Sequence, residues 1–243
     1  IDTFQSLSLA QTNLSLSIKL LEAFIANGLE YIVLCPGSRS GPLALAAGGL
    51  SDAEKVKLIT AIDERSAAFL ALGISTALGK ATAILTTSGT AVGNLLPAAI
   101  EADRSCQPLI LITADRPKRL KHCGSNQTVN QEDLLKSVCR SFEHSPDEGI
   151  HHFECSKVRK LASKVWQKAH YKSPGPVHLN IPFEEPLFSL NRVNDTKKVN
   201  KLKISSPSSL PLTSEIDIRN SNSPIIVCGR LPIGFKHQSI IEL

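Results

Sequence analysis

Charge is costly where an apolar strand ends inside a fold. Yet "AIDERSAAFLALG" sets Asp63, Glu64 and Arg65 between a segment that reads as the end of a buried strand and one that reads as a buried helix. Three other places in the chain repeat the theme, each just after an apolar run. "PGSRSG" gives Ser38 and Arg39, "SGT" gives Ser88, Gly89 and Thr90, and "ADRP" gives Asp115 and Arg116. Hydroxyls and guanidiniums suit the binding of anions, and a carboxyl can take or give a proton. Each residue also has a plain structural reading. Asp63 suits an N-cap, and Glu64 in a first helical turn gains about 0.3–1 kcal/mol from the helix dipole. "SGT" can be turn chemistry alone, and both arginines can be surface charges. Gathered on one rim, however, the set points to a ligand site.

The elements that would build this rim alternate along residues 12–188. Thr12 is placed to cap a helix with apolar positions at Leu14, Ile18, Leu21 and Ile25, stopped by Gly28. "YIVLC" reads as a strand, "VKLITAI" as the next, and "ERSAAFLALGISTAL" as a helix ending at Gly79. "ATAILTT" is a third strand, "AVGNLLPAAIEADR" a helix, and "PLILIT" a fourth strand. A helix near 156–170 and the strand "PVHLNIP" complete the series. Strands apolar on both faces and separated by helices predict an α/β fold, a doubly wound parallel sheet covered on each side. Its ligand site is expected at the carboxyl ends of the strands.

Beyond about Leu190 the composition turns polar and rich in Lys, Ser, Asn and Pro, as in an interdomain linker. "PIIVCGRLP" then opens a new apolar strand near the end of the sequence. The division expected is a first domain over 1–188, a linker over 189–222, and the truncated start of a second α/β domain over 223–243. With no methionine in the sequence, we read it as a piece of a longer protein.

Several functions are excluded. "GISTALGKAT" resembles a phosphate-binding loop, but five residues separate Gly73 from Gly79 and Ala81 stands at the metal-binding hydroxyl position. "GSRSG" has Arg39 where a nucleophile elbow needs serine. No dinucleotide glycine pattern follows the first strand. The 6 cysteines include no C-x-x-C pair, so neither a metal site nor a disulfide framework is indicated, and a cytoplasmic location is expected. No apolar run reaches the ~18 residues of a membrane span. A net charge of +5 without basic-aromatic interleaving argues against nucleic acid.

The segments "CPGSRSGPLALA", "DERSAAFLALG", "TTSGTAVGNLLPAAIEA", "TADRPKRL" and "GSNQTVNQ" together resemble the pyrimidine-binding domain of thiamine diphosphate enzymes. More narrowly they resemble the MenD family, the 2-succinyl-5-enolpyruvyl-6-hydroxy-3-cyclohexene-1-carboxylate synthases. The resemblance covers about residues 10–188. Acetolactate synthase and its relatives share the fold and the glutamate but typically lack the arginine of "PGSRS".

The resemblance implies that Glu64 hydrogen-bonds the aminopyrimidine of thiamine diphosphate and promotes the imino tautomer that activates the cofactor. Ser88, Gly89 and Thr90 would lie beside the same ring. The family's substrates, 2-oxoglutarate and isochorismate, are dicarboxylates, which arginine forks bind in bidentate fashion. Arg39 and Arg116 match family arginines that meet substrate carboxylates, and Ser38, Asn126 and Gln127 match nearby polar contacts. Family members hold Mg2+ and the diphosphate through a "GDG" domain, and no "GDG" occurs here. The expectation is therefore half of a site completed by another subunit of a homo-oligomer (a dimer or tetramer), and a fragment inactive alone. The alternatives are another 2-oxo-acid carboligase such as acetolactate synthase, and a non-catalytic interaction module of the same fold.

Overall fold

The apolar runs of the sequence place alternate side chains on opposite faces of a sheet. A computed structural model, which describes residues 8–188, pairs them into six strands. In chain order the elements are α1 (Leu9–Asn27), β1 (Tyr31–Leu34), α2 (Gly41–Asp52), β2 (Lys57–Thr60), α3 (Glu64–Leu78), β3 (Thr82–Thr86), α4 (Thr90–Gly93) and α5 (Leu96–Arg104). There follow β4 (Leu109–Asp115), α6 (Gln131–Leu134), β5 (Ser141–His144), α7 (Cys155–His170) and β6 (Pro176–Pro182), with short 3-10 turns at Lys118–Leu120 and Ile150–His152. All strand pairs are parallel, in the order β2-β1-β3-β4-β6-β5. The linker and second domain expected beyond residue 188 lie outside the described residues.

Two apolar layers sandwich the sheet. On one face Ile32, Leu34, Ile110, Ile112, Leu179 and Ile181 pack with buried residues of α1, α2 and α7. On the other, Val33, Cys35, Ile84, Leu109 and Leu111 pack with α3 and α5. The alternation of Ile32 and Leu34 with Val33 and Cys35 is the period of two that a doubly covered strand requires.

This winding sends the chain to opposite faces of the sheet at the carboxyl ends of β1 and β3. After β1 the chain turns into α2 on the first face; after β3 it turns into α4 and α5 on the second. A crevice forms where neighbouring strands send their connections to opposite faces. Helix α3 starts where its local chemistry dictates. Asp63 accepts the backbone N–H of Ser66 at 2.7 Å, and Gly79 ends the helix in a left-handed conformation.

Three readings are corrected. The cap of α1 is Ser8, not Thr12: Ser8 and Gln11 form a reciprocal capping box, and Thr12 lies inside the helix. The helix read over "AVGNLLPAAIEADR" is two helices, α4 and α5, broken at Asn94 and Leu95. Pro97 lacks the N–H that would continue the first helix, and it sits instead in the opening turn of the second. Strand β5 has no counterpart in the sequence reading, because "SFEH" is a short edge strand without an apolar signature.

Candidate functional site

The four rim segments occupy the carboxyl ends of β1 to β4, and their side chains fall into three groups. The first is Glu64, the opening residue of α3. It is half-buried and has no hydrogen-bond or ion-pair partner among the described residues. Beneath it, the buried Cys35 thiol is pushed up to about 11, chiefly by burial and then by the Glu64 and Asp63 carboxylates. That thiol is therefore protonated and inert at neutral pH. Asp63 is exposed, and its carboxyl is held below its ordinary range by the Ser66 hydrogen bonds of the cap. Ile62, 90% exposed, Phe69 and Leu70 leave apolar surface open around the start of α3.

The second group is built on the turn after β3. Ser88 is buried; its Oγ donates to the Gln127 carbonyl at 3.1 Å and accepts from Arg116 Nη1 at 2.6 Å. Arg116 Nη1 also donates to that carbonyl, at 3.0 Å. Gly89 adopts φ 78°, ψ −132°, and a Cβ there would lie 2.6 Å from Gln127 Cγ and 2.9 Å from the Gln127 carbonyl oxygen. Only glycine fits this crossing of the two loops. At Gly37, after β1, a Cβ would meet the Thr87 side chain at 2.5 Å, so the β1 and β3 exits also touch closely. Thr90, Ser38, Asn126 and Gln127 are exposed on the rim, and the Gln127 carbonyl takes part in the cluster.

The third group is Arg39, only 7% exposed. Its Nη1 donates to the Phe183 carbonyl at 2.9 Å and its Nη2 to Glu185 Oε1 at 2.7 Å, while the buried Nε has no partner among the described residues. The resemblance assigns this fork to a substrate carboxylate; here the chain's own Glu185 occupies one arm of it. Arg39 and Arg116 sense one another. Burial lowers the Arg116 pKa, the Arg39 charge lowers it further, and Asp115 and Glu185 oppose the change.

Behind the rim runs a buried polar network that the sequence reading missed. Asp115 is fully buried; its Oδ1 accepts the Arg116 backbone N–H at 2.7 Å, and its Oδ2 accepts from Asn180 Nδ2 and Lys121 Nζ, both at 2.8 Å. Burial alone would lower the Lys121 pKa, but its bonds to Asp115 and Glu132 prevail and raise it. Asn180 Oδ1 accepts from Thr113 Oγ1 at 2.8 Å and from Gln131 Nε2 at 2.7 Å. Thr113 Oγ1 in turn lies 2.8 Å from His178 Nε2. One signal was available: in "PVHLNIP", His178 and Asn180 stand two apart in a buried strand and so share a face.

Among the described residues no group of three or more His, Cys, Asp or Glu side chains is arranged to hold a metal ion, and no helix is long and apolar enough to cross a membrane.

The sequence that builds this α/β sheet has a counterpart among known families. Residues 16–137 match the family model "Thiamine pyrophosphate enzyme, N-terminal TPP binding domain", and the chain belongs to that family. It is 58% identical over 194 residues to the 2-succinyl-5-enolpyruvyl-6-hydroxy-3-cyclohexene-1-carboxylate synthase of Prochlorococcus marinus (strain NATL2A), which is 80% of this chain and 32% of that protein. The synthase of Synechococcus sp. (strain WH7803) is 67% identical over 160 residues, 66% of this chain and 28% of the relative. That of Parasynechococcus marenigrum (strain WH8102) is 53% identical over 204 residues, 83% of this chain and 37% of the relative. The chain thus spans about a third of the length of the curated relatives it matches.

Proposed function

We propose that this chain supplies the pyrimidine-binding half of a thiamine diphosphate-dependent 2-succinyl-5-enolpyruvyl-6-hydroxy-3-cyclohexene-1-carboxylate synthase. In this reading the whole protein works in the cytoplasm as a homo-oligomer, on 2-oxoglutarate and isochorismate, in menaquinone or phylloquinone biosynthesis. The observation that carries it is Glu64: a carboxyl at a helix start on the rim, with no partner among the described residues, in a chain of this family.

The residues fit such a cofactor. A ring nitrogen needs a carboxyl free to share a proton, and Glu64 is the rim carboxyl not already bonded; Asp63 and Asp115 are held by Ser66 and by Arg116, Asn180 and Lys121. When bound, the cofactor supplies the electron sink for decarboxylating a 2-oxo acid. Glu64 holds or moves the proton at the ring nitrogen. Ser88, Gly89 and Thr90 present the turn beside the ring, and the Gln127 contact leaves Gly89 no room for a side chain. Arg39 and Arg116, with Ser38, Asn126 and Gln127, orient the substrate carboxylates. Mg2+ and the diphosphate would be held by parts of the whole protein beyond these residues. The apolar surface at Ile62, Phe69 and Leu70 suits a neighbouring subunit that excludes water from Glu64.

The test uses the full-length protein with thiamine diphosphate, Mg2+, 2-oxoglutarate and isochorismate, following product by mass spectrometry. Glu64→Gln should lose roughly 10²–10⁴-fold in kcat, the range for removing one acid–base group, with its melting temperature unchanged. Turnover of pyruvate in place of 2-oxoglutarate would assign a different carboligase. A wild-type protein that decarboxylates neither acid would overturn the proposal.

A further inference from the structure

Gln131 opens the short helix α6 and is fully buried, although nothing about an isolated glutamine on a polar loop calls for burial. Its carboxamide is saturated by three separate pieces of the fold. Oε1 accepts the Gly89 backbone N–H at 3.0 Å, while Nε2 donates to the Ala114 carbonyl at 3.1 Å and to Asn180 Oδ1 at 2.7 Å. One side chain therefore ties the turn after β3 to the ends of β4 and β6. Through Asn180 and Asp115 the connection continues to the backbone N–H of Arg116.

The Gly89 amide has no other acceptor among the described residues, and its backbone lies in a positive-φ region open to glycine, which has many other conformations to choose from, so the turn is defined by what holds it. Gln127 packs the turn from one side and Gln131 holds it from the other. Removing the amide leaves a buried N–H unsatisfied, a larger loss than that of an ordinary hydrogen bond.

We propose that Gln131 is a positioning residue that fixes the Ser88–Gly89–Thr90 turn, and through Asn180 and Asp115 the Arg116 backbone, in the arrangement that receives the cofactor ring. This rests on the thiamine diphosphate reading above. Gln131 itself is fully buried and its carboxamide is spent on protein partners, so it acts through the turn.

The test compares full-length wild type with Gln131→Met, which keeps the side-chain length and loses every hydrogen bond. Leu20→Ala, in α1 on the opposite face of the sheet, serves as a purely structural control. Cofactor affinity is titrated with thiamine diphosphate and Mg2+ by calorimetry. Hydrogen–deuterium exchange of a peptide covering residues 86–92 is measured without cofactor. Gln131→Met should exchange this peptide faster and bind the cofactor about tenfold more weakly, the factor that corresponds to about 1.4 kcal/mol. Leu20→Ala should lower the melting temperature yet leave both readouts near wild type. Unchanged exchange in Gln131→Met, or a loss of affinity no larger than the control's, overturns the proposal.

If Gln131→Met fails to fold, Gln131→Glu decides. It keeps an oxygen for Gly89, and its carboxyl donates to Ala114 or Asn180 only while protonated. Its cofactor affinity should then fall more steeply than wild type as pH rises, and coincident pH profiles overturn the proposal. A wild type that binds no thiamine diphosphate defeats the cofactor reading itself, whereas the exchange of residues 86–92 still judges whether Gln131 clamps the turn.

Discussion

His178 gives the fold a specific sensitivity to acid. The direction of its hydrogen bond follows from its neighbours. The Asp115 carboxylate, paired with Lys121, can only accept, so Asn180 turns Nδ2 toward it and Oδ1 toward Thr113. Thr113 spends its one proton on that Oδ1 and must accept from His178 Nε2–H. His178 is thereby fixed as the neutral Nε2–H tautomer, with Nδ1 buried and without a partner among the described residues. Protonation would place an unpaired charge there, and burial pushes the imidazole from 6.5 down to about 4. Because the folded pKa lies below the unfolded one, the unfolded chain binds the extra proton first, and stability is lost as pH falls from about 6.5 toward about 4. At about 1.36 kcal/mol per pH unit the full loss is about 3 kcal/mol, a sizeable share of a typical domain's stability. The assay is urea unfolding of wild type and His178→Gln between about pH 7 and about pH 4.5; glutamine keeps a donor for Thr113 and cannot charge. The stability of wild type relative to His178→Gln should fall by about 2 kcal/mol over that range, while effects of His151 and His170 cancel. A gap that stays constant with pH would refute the argument.

Gly89→Ala should destabilise the chain by about 2–4 kcal/mol, from backbone strain and the clash with Gln127; a chemical-denaturation midpoint equal to wild type would contradict the geometry. Glu185→Gln removes the carboxylate charge that pairs with the Arg39 fork. On the proposed synthase reading it should lower KM for 2-oxoglutarate in the full-length protein severalfold, at a cost in stability because Arg39 is only 7% exposed; an unchanged or higher KM would show that Glu185 does not compete. Asp63→Ala should lower the melting temperature through loss of the α3 cap, and Asp63→Asn, which keeps a cap oxygen, should lower it less. Equal melting temperatures for both variants would remove the capping role.

What the sequence discloses depends on how locally each feature is determined. Helix α3 was legible to the residue because Asp63 and Gly79 act within a turn of their own positions. The start of α1 was misread because Ser8 and Thr12 are both able to cap, and Gln11, three residues after Ser8, decides between them. Rim residues could be read because they follow the strand ends, and strand ends follow from apolar patterning. Gln131, Lys121 and Glu185 could not. Their roles arise only when β4 pairs with β6, which sets Thr113 beside Asn180 and Asp115 beside Pro182, and when the chain after β6 returns to Arg39. No composition or spacing within one segment carries that information.

The network from His178 to Asp115 has a polarity as well as a shape. From the neutral imidazole of His178 through Thr113 and Asn180, every hydrogen bond donates toward the Asp115 carboxylate, and Gln131 joins from the side by donating to Asn180. A change at one member, such as Asn180→Asp, turns a donor into an acceptor and sets two acceptors face to face. Evolution can therefore cross between alternative networks only by replacing several of these residues together. Positions 113, 131, 178 and 180 should vary as a block among homologous chains, while their apolar neighbours in the same strands drift one at a time.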